Sequence, residues 1–501
     1  MSGTSPRRRI AVIGGGIAGL AAAHRLIELD PAIELTLFEA SDRLGGSLWT
    51  HRRDGFLVEQ GADSFITNVP WGVDLCRRLG LADELMGTNP RGRKAFVVRR
   101  GRLVPIPDGF MLMAPSRIWP VVTTPVLSPL GKLRLAYEYF VPRRDNGVDE
   151  SLASFARRRL GREVFERLVQ PLVAGIYTAD PEKLSLAATL PRFQEMERLH
   201  GGLIRGALRQ KALNKKSPSA NGPSSGARYE LFVAPRDGLS SIASAIAARL
   251  PSSALRLNAP VHSLIRSETR WHIRVGQLNP ADRDSSQAIR DSSELDFDAV
   301  ILAVPAPVTA RLLAEADREL ANELAGIEYA GVAVVSMAFE RRQIRHPLDG
   351  FGFVVPAIER RRILSASFSS EKFPGRAPVG NVLIRTFVGG ACQRELIDLN
   401  DADLERLVAE ELADLLGITG RPLWTMITRW SQSMPQYHLG HLERVAQIET
   451  LVEEIPGLGL AGNAYYGVGI PHAIRSGEQA AERLNLFLNG DLLTQVGKDH
   501  D

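Results

Sequence analysis

Residues 9–39 read RIAVIGGGIAGLAAAHRLIELDPAIELTLFE, and this stretch restricts the fold more than any other in the chain. An apolar, β-branched run ends in glycines, a helix-periodic segment follows, and a second alternating run ends on Glu39. That order is strand, turn, helix, strand. Gly14, Gly16 and Gly19 stand in G-x-G-x-x-G spacing: the first permits the tight turn, the second lets the backbone approach a pyrophosphate, and the third lets helix pack closely on strand. Gly15, Ile17 and Ala18 complete the turn, where unsatisfied N–H groups and the helix dipole favour negative charge. Glu39, with Ala40 after it, sits where a carboxylate meets the ribose hydroxyls of a dinucleotide. NAD and FAD satisfy this pattern equally.

Composition excludes several classes. The 501 residues carry a formal net charge of only +4, which is no basis for a nucleic-acid partner. Cys76 and Cys392 are too few for a disulfide framework, so a reducing compartment is expected. The N-terminus lacks a signal-peptide pattern, and no run reaches the roughly 18 uninterrupted apolar residues of a spanning helix. A cytoplasmic protein follows as the expectation. The apolar stretch from Pro105 to Phe140 is broken by prolines; it could rest on a membrane but not cross one. His438 and His441 have metal-like spacing without further ligands, so packing is expected and no metal. The basic runs at Arg7, Arg157 and Glu359 read as solvated faces, the second also as a candidate for anionic headgroups.

From Val148 to about Leu213 the pattern is helical, and the segments from Asn214 and Asn279 read as surface loops. Antiparallel alternation marks residues 330–390, and a strand, glycine turn and helix close the chain from Gly457 to Gly490. The expected class is α/β: a Rossmann-like domain drawn from both chain ends, an inserted α+β substrate domain, and a mainly helical domain. The division expected is 1–90, 216–310 and 426–501 for the dinucleotide domain, 91–215 for the substrate and helical region, and 311–425 for the substrate sheet.

The continuation ASDRLGGSLWTHRRDGFLVEQGADSF resembles the flavin-containing amine oxidase superfamily. The resemblance implies that Arg43, Gly45 and Gly46 wrap an FAD pyrophosphate with Ser47 nearby, and that Gly61, Ala62, Asp63 and Ser64 pass beside the flavin. LAGNAYYGVGIPHAIRSGEQAA is similar to the second flavin motif of that family. It implies that Gly462 ends a strand, that Val468, Gly469 and Ile470 run under the ring, and that the helix from Pro471 aims its positive end there. Val261 would meet the adenine and Trp430 the flavin. One non-covalent FAD per chain is implied.

LVQPLVAGIYTADPEKLSLAATLPRF, GFGFVVP and MPQYHLGHLERV narrow the likeness to the protoporphyrinogen oxidase and coproporphyrinogen III oxidase family. What this implies is removal of six electrons from a porphyrinogen in three steps, with dioxygen as acceptor and the protein orienting the macrocycle. Protoporphyrinogen IX is the first substrate expected and coproporphyrinogen III the alternative. An amine or carotenoid oxidoreductase and a flavin-binding scaffold without turnover are the more distant readings. Gly175, Phe351, Gly352, Val354 and Phe387 match the pocket of the family, with ordinary core packing as what the residues alone suggest, and Phe96 matches its mouth. An arginine that eukaryotic members carry there is replaced by Ala95, which leaves Arg93 or Lys94 to take the substrate carboxylates. Met111, Met113, Trp119, Lys132 and Arg134 match the membrane-facing region of the family, with substrate-domain core as the alternative. Besides the porphyrinogen and dioxygen, the partners expected are a membrane surface in peripheral contact and a second copy in a homodimer.

Overall fold

The computed structural model describes residues 7–90, 94–115, 117–144, 147–216, 232–268, 270–278 and 289–490. The two expected loops fall largely outside these residues, and so does Arg93. The chain opens as its sequence dictates, with β1 (Arg9–Ile13), α1 (Ile17–Leu29) and β2 (Glu34–Phe38). These strands are central to a five-stranded sheet whose order is Leu255–Arg256, β2, β1, Ala299–Leu302, Leu458–Leu460. Every pairing in it is parallel. Buried on both faces, its strands carry continuous apolar runs such as IAVI and AVIL. The long helix Ile470–Leu488 packs on α1 so closely that a Cβ at Gly477 would stand 2.1 Å from the Ala18 carbonyl oxygen.

A second sheet has seven strands: β3 (Phe96–Arg99), β4 (Arg102–Pro105), β5 (Tyr329–Glu340), β6 (Gly352–Val354), β7 (Ser365–Phe368), β8 (Asn381–Gly389) and β9 (Trp424–Pro435). Their order is β9-β5-β8-β7-β6-β3-β4, antiparallel except where β6 meets β3. The expected division at 425/426 falls inside β9, because residues 424–435 pair continuously with β5 apart from one bulge. One face of this sheet packs Phe96, Phe353 and Phe368 against the amphipathic helix Asp401–Leu416.

Helices between Pro129 and Lys216 form a third body around Phe155, Phe165, Leu168 and Phe193. Its interior corrects the reading of the Arg157 run as a solvated face. Arg159 is fully buried and binds Glu138 and the Gly201 carbonyl, while Arg158 bridges Glu150 and Glu197. Buried charges persist only when paired in this way. The helix Pro129–Ala136 and the turn after it present the opposite character, with Leu130 77% and Leu133 68% exposed beside Phe140 at 69%. Among the described residues no helix is long and apolar enough to cross a membrane.

Candidate functional site

Steric necessity builds the turn after β1. Gly14 holds φ at +109°, and a Cβ there would lie 2.5 Å from the Ala303 carbonyl oxygen. A Cβ on Gly19 would come within 1.9 Å of the Gly14 carbonyl oxygen, so the third glycine lets α1 close onto its own entry turn. Leu44 and Glu39 crowd Gly15 in the same manner. Gly16 differs: nothing lies within 4 Å of the place its Cβ would take. It is also the N-cap of α1, and no side chain caps that helix. Open space before unsatisfied first-turn N–H groups is a seat for a phosphate. Ile17 and Ala18 are buried in the core, so only their backbones can contribute.

Glu39 directly follows β2, with its carboxylate fixed by the Gly15 N–H at 2.8 Å and by the Ser41 N–H and hydroxyl at 2.8 and 2.7 Å. About one acceptor direction of roughly four remains for a ligand hydroxyl. Ala40 is exposed beside it. The Ala259 N–H donates to the Glu39 carbonyl at 2.9 Å, which brings the strand Val261–Arg266 alongside. A second glycine pair closes on the first: Gly45 N–H donates to the Gly15 carbonyl at 2.8 Å, and a Cβ on Gly46 would be 3.1 Å from Gly16 Cα. Arg43 donates to the Gly46 carbonyl at 2.8 Å and lies 4.2 Å from the centre of the Trp49 ring.

Distant segments meet at Gly61. A Cβ there would approach the Ser47 carbonyl oxygen to 2.1 Å. Trp430 Nε1 donates to the Gln60 carbonyl at 2.8 Å, and the Thr428 hydroxyl donates to the Gln60 side chain at 2.6 Å, so β9 pins the chain just before this loop. Ala62 packs against the core of the parallel sheet. Lys372 lies 3.0 Å and Arg385 3.4 Å from Asp63, and the Ser64 hydroxyl donates to the same carboxylate at 2.8 Å. Burial pushes the Asp63 carboxyl up, yet Lys372, Arg385 and Ser64 outweigh it and hold it well below the usual carboxylate range. Sequence reading missed Lys372 and Arg385; the available signal was an arginine inside the apolar run NVLIRTFVG.

From the far end of the chain, Gly462 adopts φ +135° with no atom within 4 Å of its would-be Cβ, and its N–H donates to the Ser476 hydroxyl at 3.0 Å. Gly469 is the N-cap of the helix Ile470–Leu488, again without a side-chain cap. Val468 packs against the cluster that includes Tyr437 and has Val354 at its edge. His438 and His441 serve packing: His441 stacks on Tyr437 at 4.0 Å, and His438 lies 3.7 Å from Glu328.

Strand register decides which residues share a face of the second sheet. Phe387 pairs with Ser365, Ser365 with Val354, and Val354 with Val97, so these residues share one sheet face. Arg385, two residues from Phe387 along β8, and Trp430 and Thr428 on β9 share it as well. Gly175, on the helix Gln170–Tyr177, looks onto Val354, whose Cγ1 would be 3.8 Å from a Cβ there. Gly352 is required by close strand approach, since its Cβ would stand 2.1 Å from the Ala366 carbonyl oxygen. Phe351 is buried and donates its N–H to the Lys94 carbonyl at 2.8 Å.

Phe96 is corrected: it pairs with Phe353 on the opposite face, buried at 4% and packed edge-on to His346. Val97 takes the Val354 face instead, where it is buried. Lys94 is engaged by Asp349 at 3.0 Å and is no free anchor. The cations on the Val97 face of this hairpin are Arg99 and, paired with it, Arg102, which with Arg100 and Val104 line a cavity of about 360 Å³. Arg99 Nε is buried and meets no partner among the described residues.

Residues 17–485 match the family model described as flavin containing amine oxidoreductase. The chain is 33% identical over 488 residues to coproporphyrinogen III oxidase of Bacillus subtilis (strain 168), covering 96% of this chain and 99% of that one. It is 30% identical over 503 residues to mitochondrial protoporphyrinogen oxidase of Nicotiana tabacum, covering 97% and 96%. A crystal structure of a protein from Exiguobacterium sp. 255-15, provisionally described as a protoporphyrinogen oxidase, superposes with a TM-score of 0.82 at 30% identity, over 97% of this chain and 100% of that one.

Proposed function

The chain belongs to the flavin-containing amine oxidoreductase family and is an oxidoreductase, and on that premise we propose that it holds FAD non-covalently and oxidises a porphyrinogen, coproporphyrinogen III ahead of protoporphyrinogen IX. The observation that carries this reading is likeness along nearly the whole chain to relatives bearing those two names. Two uncapped helix starts, before Ile17 and before Ile470, support a dinucleotide that spans both chain ends, as does the open space at Gly16 and Gly462. Cys76 and Cys392 both lie outside the Gly462–Ile470 stretch, which supports non-covalent binding.

When bound, a flavin would supply the two-electron acceptor chemistry, with dioxygen as the final acceptor. The chain's own residues do the positioning. Phe387, Val354 and Gly175 offer an apolar wall on which a macrocycle can lie. Arg99 and Arg102 then meet the carboxylates of the substrate by charge-assisted hydrogen bonds. A cationic edge of this kind favours the porphyrinogen with four carboxylates over the one with two. The exposed Leu130, Leu133 and Phe140 support a peripheral membrane contact.

The test gives purified, flavin-loaded protein each porphyrinogen in air and follows porphyrin fluorescence with oxygen uptake. The expected result is oxidation of both, with the higher kcat/KM for coproporphyrinogen III. Protein that holds flavin and oxidises neither overturns the reading.

A further inference from the structure

Arg385 stands mid-strand on β8, 1% exposed, on the same face as Phe387, whose ring centre lies 5.4 Å from the guanidinium carbon. Its donors are only partly used. It donates to the Gly61 carbonyl and lies 3.4 Å from an Asp63 oxygen, but its Nε meets no acceptor among the described residues. A buried N–H without a partner costs free energy and marks a place where something else completes the site. Lys372 lies 3.0 Å from both oxygens of the same carboxylate.

The surroundings carry excess positive charge. Lys372, Arg376 and Arg385 face two carboxylates, Asp63 and Glu59. Arg376 spends its donors on the Arg236 and Pro235 carbonyls, and Glu59 is held by the Leu239 N–H and the Thr50 hydroxyl. Burial pushes the Glu59 carboxyl up, against the Leu239 and Thr50 hydrogen bonds and the two arginines, which weakens its share of the compensation. In a site screened from water, a fixed cation acts far more strongly on neighbouring charge than it would in solution.

We propose that Arg385, backed by Lys372, sets the electron affinity of a flavin seated over Gly61–Ser64, by presenting a buried positive charge to the ring and fixing the Gly61 carbonyl. This rests on the flavin reading given above. Hydride arrival places negative charge on the ring, which the Arg385 cation stabilises and the adjacent Asp63 carboxylate opposes. The two residues touch the same loop with opposite sign.

That sign supplies the experiment. Arg385→Met, Arg385→Lys and Asp63→Asn are made in the full-length, flavin-loaded protein. The oxidised-to-reduced ratio is read against a reference dye, and sulfite affinity is measured alongside, because sulfite addition leaves negative charge on the ring. Arg385→Met is expected to shift the ratio about tenfold toward the oxidised form, about 30 mV for a two-electron couple, and to weaken sulfite binding. Asp63→Asn shifts both the other way, and Arg385→Lys stays near wild type. Should Arg385→Met fail to fold, Lys372→Met carries the test with the same expected sign. Arginine and aspartate variants that move together, as loosening of a purely structural contact would make them, overturn the assignment while leaving the flavin reading intact. So does a ratio within about twofold of wild type for both. Wild-type protein unable to take up any flavin overturns both proposals.

Discussion

Gly16 is the glycine whose missing side chain leaves room for something other than protein, since its neighbours at positions 14, 15 and 19 are all excluded by the chain itself. Gly16→Val is therefore expected to fold with near wild-type thermal stability but to be isolated colourless, which an absorbance spectrum and a melting curve together check. Gly19→Ala should instead lower stability, because the added carbon meets the Gly14 carbonyl oxygen. Asp63 permits a pH prediction. Its folded-state value lies below the unfolded one, so its contribution is complete at neutral pH and is lost as pH falls through the folded value. Between about pH 5 and pH 2 the wild-type melting temperature should fall more steeply than that of Asp63→Asn. Glycine roles were readable beforehand because sterics act locally. Lys372 and Arg385 were not, as their partners lie 309 and 324 positions away. Arg159 misled for the same reason: a run of arginines does not announce the Glu138 that buries one of them.

At the scale of elements, likeness to the family singled out Phe96 but not which face of β3 it takes. A one-residue change of face exchanges Phe96 for Val97, and only the register against β6 decides between them. The pairing of β3 with β4 puts Arg99 and Arg102 on the Val97 face. Losing their charge-assisted hydrogen bonds in Arg99→Ala/Arg102→Ala should raise KM for coproporphyrinogen III about tenfold, with less effect on protoporphyrinogen IX and little on kcat; steady-state kinetics with both substrates decide it. The helix Pro129–Ala136 offers a second check. Leu130→Ser/Leu133→Ser removes exposed apolar area only, so binding to anionic lipid vesicles should weaken about tenfold or more while porphyrinogen turnover in detergent stays unchanged. Where two helices touch through Gly477, substitution by alanine should cost about 1–3 kcal/mol, measurable by denaturant unfolding, because neither helix can retreat from the carbonyl oxygen of Ala18.

For the molecule as a whole, the parallel sheet is assembled from residues 9–38, 255–256, 299–302 and 458–460, and its opening and closing helices both start without side-chain caps. A nascent polypeptide emerging from the ribosome therefore displays its glycine-rich start long before the last strand that flanks it has been synthesised. Pairings of such long sequence separation form slowly. Seating of the proposed flavin then waits for residues 458–488, and until they arrive the strand Ala299–Leu302 keeps an unpaired edge open to aggregation.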